Sequence, residues 1–164
     1  MPYIAYLHTG SNEGDRLRNL EVAQSHIERL AGAVVARSPV YETAAWGVED
    51  QPDFLNQALK VATACSPLQL LEVALGIEQQ MGRRRIRRWG QRLIDVDLLF
   101  YGQIRIHLPR LRLPHPELHR RNFVLLPLRD IAPELLHPEL GLTVEALLAQ
   151  SPDPLPAERY QGEI

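Results

Sequence analysis

Cysteine occurs once in the 164 residues, at Cys65, and lysine once, at Lys60. A single thiol excludes an internal disulfide framework and a zinc site built on several cysteines; Cys65 itself reads as a buried strand residue. No uninterrupted apolar run reaches the ~18 residues that a membrane-spanning helix needs. The opening MPYIAYLHTG has neither the basic flank nor the small-residue cleavage site of a secretory signal. The chain therefore reads as a cytoplasmic protein with no membrane partner. No GxxxxGKS, GxxxxGKT or GxGxxG run is present, so any nucleotide is held in neither the Walker nor the Rossmann manner. Internal repeats and long linkers are also lacking. With 45% hydrophobic residues, the length argues for one domain over residues 1–164 with a sizeable core. The proline-rich tail, 151–164, is expected to be loosely held.

What the sequence does have is arginine, unevenly placed. Arg83 to Arg129 holds twelve of the eighteen basic residues and only Asp95, Asp97 and Glu117 as acids, although the net charge of the whole is −2. Such a segment suits a polyanion, either a nucleic-acid backbone or the phosphates of a small molecule, or it is simply a solvated loop.

Periodicity sets out the elements. Tyr3 to His8 alternates as a short strand that ends at Thr9-Gly10-Ser11-Asn12. From Asp15, Leu17, Leu20, Ala23, Ile27 and Leu30 recur at helical spacing, with Gly32 as the C-terminal cap. Ala33–Tyr41 and Phe54–Ala64 read as strands; the second sets Leu55, Leu59 and Val61 against Phe54, Asn56 and Ala58 on opposite faces. Ser66-Pro67-Leu68-Gln69 predicts a helix start with a capping box and proline at the first position, running to Met81. A strand over Leu93–Tyr101, a turn at Gly102, proline-broken helical pieces and a helix over Thr143–Gln150 complete the chain. This order fits an α+β fold, a ferredoxin-like α/β sandwich with helices covering one face of a mainly antiparallel sheet.

Asp95-Val96-Asp97 is the most informative triplet. On a strand, residues i and i+2 point the same way, so both carboxylates share one face while Ile94, Val96 and Leu98 enter the core. Hard carboxylate oxygens suit Mg²⁺, which completes its octahedron with water and substrate phosphates; two solvated aspartates on an edge strand is the alternative. Arg83, Arg84, Arg85, Arg87, Arg88 and Arg92, with Trp89-Gly90 among them, lead directly into this strand. Phosphoryl transfer uses both parts, because divalent ions neutralise nucleotide oxygens while guanidinium groups stabilise charge that develops in the transition state. Phe54 and Asn56 share a face on which a ring stacks on a flat heterocycle and an amide reads its edge, or they are core and loop anchor. His115 lies between Pro114 and Pro116, with Arg121 close behind.

In their order these segments resemble the 6-hydroxymethyl-7,8-dihydropterin pyrophosphokinase family, over about Ile4 to Pro138. The resemblance is carried by Gly10-Ser11-Asn12, Gln51-Pro52-Asp53-Phe54-Leu55-Asn56, Ile77-Glu78 with Gly82-Arg83, the run from Arg88 to Leu99, and Leu113-Pro114-His115-Pro116 followed by Arg121-Asn122-Phe123. Gln91 and Pro116 depart from the usual family pattern. The resemblance implies a three-layer form of the ferredoxin-like sandwich and pyrophosphoryl transfer from ATP to 6-hydroxymethyl-7,8-dihydropterin in folate biosynthesis. It further implies that Asp95 and Asp97 bind two Mg²⁺ ions and that Arg83 and Arg92 assist transfer. Phe54 and Phe123 would sandwich the pterin, Asn56 would hydrogen-bond it, and Thr43, Ala45 and Trp46 would complete its pocket. Glu78, Arg88, Trp89, Arg92, Arg112, His115 and Arg121 match positions near ATP. The family is mostly monomeric and takes no nucleic acid. An RNA-binding module and a nucleotide-sugar transferase are the rival readings; paired aspartates repel a phosphate backbone, and the chain is short for the second.

Overall fold

The computed structural model describes residues 2–44, 52–82 and 93–161. Its centre is the antiparallel pair of β1 (Tyr3–Ser11) and β4 (Phe54–Thr63), in register from Tyr3 opposite Thr63 to Ser11 opposite Leu55. β5 (Asp95–Tyr101) lies on the far side of β1, with Gly10 opposite Asp95 and His8 opposite Asp97. β2 (Gly32–Arg37) and β3 (Tyr41–Thr43) pair with successive parts of β4, and β8 (Ala157–Arg159) adds to β3. All these pairings are antiparallel. A small separate ribbon joins β6 (Ile106–His107) to β7 (Arg112–Leu113).

α1 (Arg16–Leu30) starts where Asp15 accepts the Arg18 N–H, and it buries Leu20, Ala23 and Ile27. α2 (Pro67–Gln80) carries the expected capping box: Ser66 Oγ accepts from Gln69 N, and Gln69 Oε1 accepts from Ser66 N. Its buried Leu70, Ala74 and Ile77 recur at helical spacing. Both helices pack with Leu7, Leu55, Leu59 and Val61 on one side of the sheet. α3 (Asn122–Ile131) and α4 (Val144–Gln150) cover the other side, against Tyr6, Ala58, Leu99 and Phe100. The fold is thus an α+β ferredoxin-like sandwich, and helices cover both faces of the sheet rather than the single face that element order suggested.

Four local expectations change. The single strand expected over Ala33–Tyr41 is two strands, because Pro39 has no N–H to give a ladder and Ser38 turns inward, exchanging bonds with both Ala58 N and Ala58 O. Gly32 begins β2 instead of capping α1, where Ala31 is the cap. A Cβ on Gly32 would lie 2.0 Å from the Ala62 carbonyl oxygen. Cys65 sits half-buried in the turn after β4, not within the strand. The tail is not loose over Ala157–Arg159, which form β8. No helix among the described residues is long and apolar enough to cross a membrane.

Candidate active site

The site forms where three central strands end on the α3 side of the sheet. Alternation along β5 buries Val96 and Leu98 toward α1 and α2, so Asp95 and Asp97 fall on the opposite face, half-buried and exposed respectively. Cross-strand register sets Gly10 between Asp95 and Asn56, and His8 between Asp97 and Ala58. Glycine at position 10 keeps this floor open: a Cβ there would come within 3.2 Å of Asn56 Oδ1 and 3.6 Å of Phe54 Cδ1. Asn56 is 1% exposed, and its Nδ2 donates to Thr43 Oγ1 at 2.7 Å, which orients the side-chain amide. Thr43 pairs with Phe54 across β3 and β4.

The first turn of α3 closes the site from above. Phe123 meets His8 edge-on, with ring centroids 5.6 Å apart, and the Arg121 guanidinium lies 5.7 Å from the Phe123 ring centroid. The Phe123 carbonyl only accepts, so its 3.2 Å contact places a proton on His8 Nε2. Nδ1 is then a lone-pair acceptor, buried and with no hydrogen-bond partner among the described residues. Burial pulls the His8 pKa down to about 4; nearby His115 and Arg121 add to the fall, and the bond to Phe123 opposes it. His115 is likewise lowered, first by burial and then by Arg121, with Glu117 opposing. Its Nδ1 accepts the Glu117 N–H at 3.1 Å, leaving Nε2 as the donor of a neutral ring.

Other side chains hold this frame. Glu78 on α2 is 4% exposed, and its Oε2 accepts the Val96 N–H at 2.9 Å, between the two aspartates. That contact makes Glu78 a positioning group for β5. Asn12 Nδ2 donates to the Pro52 carbonyl at 3.2 Å, tying the end of β1 to the approach to β4. Arg112 is exposed on β7, three residues before His115.

Of the site residues expected from sequence, Asp95, Asp97, Phe54, Asn56, Thr43, Phe123, His115 and Arg121 converge on this end of the sheet. Ala45, Trp46, Arg83, Arg88, Trp89 and Arg92 lie outside the described residues. His8, which periodicity alone does not single out, also lines this end of the sheet: it stands two residues before Gly10 on a strand and so shares the glycine's face.

No cluster of three or more histidine, cysteine or acidic side chains poised for a metal occurs among the described residues. Two aspartates on one strand face nevertheless fit Mg²⁺, which takes one or two protein carboxylates and fills its remaining positions with water and phosphate oxygens. A cluster of nitrogen or sulfur ligands would have pointed to another metal.

Comparison with known proteins identifies the family. The profile of the family described as 7,8-dihydro-6-hydroxymethylpterin-pyrophosphokinase matches residues 6–133. The chain is 46% identical to the 2-amino-4-hydroxy-6-hydroxymethyldihydropteridine pyrophosphokinase of Methylorubrum extorquens, over 96% of this chain and 98% of that protein. It is 39% identical to the enzyme of the same name from Haemophilus influenzae, over 86% and 89%. Among solved structures, the Plasmodium falciparum HPPK-DHPS triple mutant superposes with a TM-score of 0.76 at 20% identity, covering 92% of this chain and 43% of that one; at that identity the likeness speaks for the fold. The chain therefore belongs to the 7,8-dihydro-6-hydroxymethylpterin-pyrophosphokinase family, transferases of folate synthesis that use ATP as co-substrate.

Proposed function

We propose the following division of labour for pyrophosphoryl transfer from ATP to 6-hydroxymethyl-7,8-dihydropterin. The observation that carries it is the cross-strand row in which Asp95, Gly10 and Asn56 lie side by side, with Phe123 packed on His8 in the next row. Asp95 and Asp97 would hold two Mg²⁺ ions, which when bound would neutralise phosphate charge and polarise substrate oxygens. Phe54 and Phe123 sandwich the pterin. Asn56, oriented by Thr43, reads its polar edge, and Thr43, Ala45 and Trp46 wall the pocket. Glu78, Arg88, Trp89, Arg92, Arg112, His115 and Arg121 serve the ATP side, Glu78 by fixing β5. Arg83 and Arg92 offset charge on the transferring group.

The pterin hydroxyl oxygen attacks the β-phosphorus in line. The bond from that phosphorus to the α-phosphate oxygen breaks, AMP departs, and the hydroxyl proton passes to solvent. No covalent intermediate on the protein is needed, and positioning of two bound substrates supplies much of the acceleration. The neutral His115 donates from Nε2 to a phosphate oxygen, and charged Arg121 stands beside it. The protein works as a cytoplasmic monomer with no nucleic-acid partner in this reading.

The test is to incubate the protein with MgATP and the pterin alcohol and to separate nucleotides by chromatography. AMP that accumulates only with the pterin present is the expected result. ADP would mean transfer of the γ-phosphoryl group alone and would overturn the reading.

A further inference from the structure

We infer that the C-terminal segment, residues 151–160, is a positioning clamp for the pterin pocket, joining three walls that arrive from distant parts of the chain. This inference rests on the pocket assigned above. The walls are Thr43 on β3, Phe54 on β4 and Phe123 on α3, and the segment touches the support of each.

The contact to α3 is made by Asp153. Arg121, the residue before that helix, makes no side-chain cap hydrogen bond, so the first helical N–H groups need an acceptor from elsewhere. Asp153 Oδ2 accepts the Asn122 N–H at 2.8 Å, while Oδ1 accepts the Leu155 N–H at 2.9 Å. Its charge also opposes the positive end of the helix. Asn122 immediately precedes Phe123, so one carboxylate fixes both the tail and the turn that carries the ring.

The contact to β3 is the strand β8. Ala157 pairs with Thr43, Glu158 with Glu42 and Arg159 with Tyr41, and the Tyr160 N–H donates to Val40 O at 2.8 Å. Without β8, β3 would be a three-residue edge strand carrying Thr43 with pairing on one side only. Tyr41 adds a tie across the seam: its hydroxyl donates to the Asp130 carboxylate of α3, which Arg159 approaches to 3.9 Å.

The contact toward β4 runs through Arg16. Its guanidinium carbon stands 5.8 Å from the Tyr160 ring centroid, and its Nη1 donates to Glu42 Oε2 at 2.7 Å and to the Asp53 carbonyl at 2.8 Å. Asp53 immediately precedes Phe54. A core-filling tail would need none of these polar ties to residues adjoining the expected pterin contacts.

The experiment measures pterin affinity by titration calorimetry in the presence of Mg²⁺ and saturating α,β-methylene-ATP, which supports no turnover. Asp153→Ala is expected to raise the pterin Kd about 10-fold. Asp153→Asn, which keeps one acceptor oxygen, should return it to within about 3-fold of the unmutated value. Hydrogen exchange on the unmutated protein provides a reading that depends on no variant folding: pterin should slow exchange at amides 157–160. An unchanged Kd in Asp153→Ala, whatever its melting temperature, or unchanged protection at 157–160 would overturn the clamp. Phe123→Ala separates the two levels. If it leaves pterin affinity untouched, the pocket assignment has failed; if it abolishes affinity while Asp153→Ala does not weaken it, only the clamp has failed.

Discussion

On the α1 and α2 side of the sheet, Leu7, Leu55, Leu59, Val61, Val96 and Leu98 form an apolar surface carried by three adjacent strands. On the α3 and α4 side the same strands present Tyr6, Leu99 and Phe100 at one end, then His8, Gly10, Asn56, Asp95 and Asp97 at the other, with Ala58 beside His8. Two-residue periodicity lets a single strand serve both purposes: β5 alternates between core leucine or valine and site aspartate, and β4 between core leucine and site asparagine. The apolar side supplies burial that is insensitive to which ligand is present. The other side gives up apolar contact at its end, and the polar groups there are held by cross-strand neighbours and by α3.

This division makes opposite predictions for residues on the two faces. Asp97→Ala is expected to have the largest effect, lowering kcat/KM on the order of a thousandfold, because the metal ligand proposed above would act on transition-state charge worth several kcal/mol. The side chain is exposed, so the thermal midpoint should move by no more than about 2 °C. AMP formation at saturating Mg²⁺ together with a melting curve reads both. Near-normal turnover would remove Asp97 from the site.

Leu59→Ala should do the reverse. Leu59 is fully buried on the α1 and α2 side, so truncation should cost about 2–5 kcal/mol in a denaturant titration, with activity per folded molecule preserved. Gly32→Ala belongs with it, since the new Cβ would be driven into the Ala62 carbonyl at a φ of 150°. A loss of about 3 kcal/mol is expected there, with no change in pterin affinity of the folded fraction. If either change altered KM rather than stability, the separation of the two faces would be wrong.

Sequence legibility followed the same division. Much that local chemistry decides was legible: the capping box at Ser66 and Gln69, the shared face of Asp95 and Asp97, and the opposed faces of β4 are in place, whereas Gly32 begins β2 instead of capping α1. What depended on distant parts of the chain was not readable. Nothing in Ala157-Glu158-Arg159 favours a strand locally; the pairing with β3 makes it one. Nor does element order say which face of the sheet α3 and α4 will cover. His8 looked like one more residue in an alternating strand, because its significance comes from Phe123, far along the chain, and from its place beside Asp97. The arginine-rich stretch Arg83–Arg92, the strongest compositional feature, lies outside the described residues, so its part in the site rests on family resemblance.

The histidines on the α3 side add a pH dependence. Unfolded His8 takes up a proton near its ordinary value of 6.5, whereas folded His8 resists until about 4. Between those values the unfolded state binds more protons, so stability should fall as pH drops from about 6.5 to about 4 and level off below. His115 and His137 are lowered in the same direction, each chiefly by burial. The His8 share is about 3 kcal/mol. Urea titrations at a series of pH values should show this slope, and His8→Gln, which keeps a donor for the Phe123 carbonyl but does not titrate, should flatten it. Identical slopes in the two proteins would mean that His8 is not held neutral by burial.

The smallest expected effect tests the floor of the site itself. Gly10→Ala adds one methyl where the nearest atom is Asn56 Oδ1 at 3.2 Å, with Phe54 Cδ1 at 3.6 Å. Asn56 cannot swing aside cheaply, because its Nδ2 is engaged with Thr43 Oγ1 and the residue is fully packed. A shift of a few tenths of an ångström in the amide is therefore the way the methyl is accommodated, and that shift is passed to whatever the amide reads. The backbone at Gly10 has no positive φ to strain, so stability should change by about 1 kcal/mol or less, while pterin affinity should weaken about 10-fold, equivalent to one distorted hydrogen bond. Affinity for Mg²⁺-bound α,β-methylene-ATP should stay within about 3-fold, since Asp95 lies on the opposite side of Gly10 from Asn56. A loss confined to the nucleotide would place the glycine against the phosphates instead, and would move the pterin off β4.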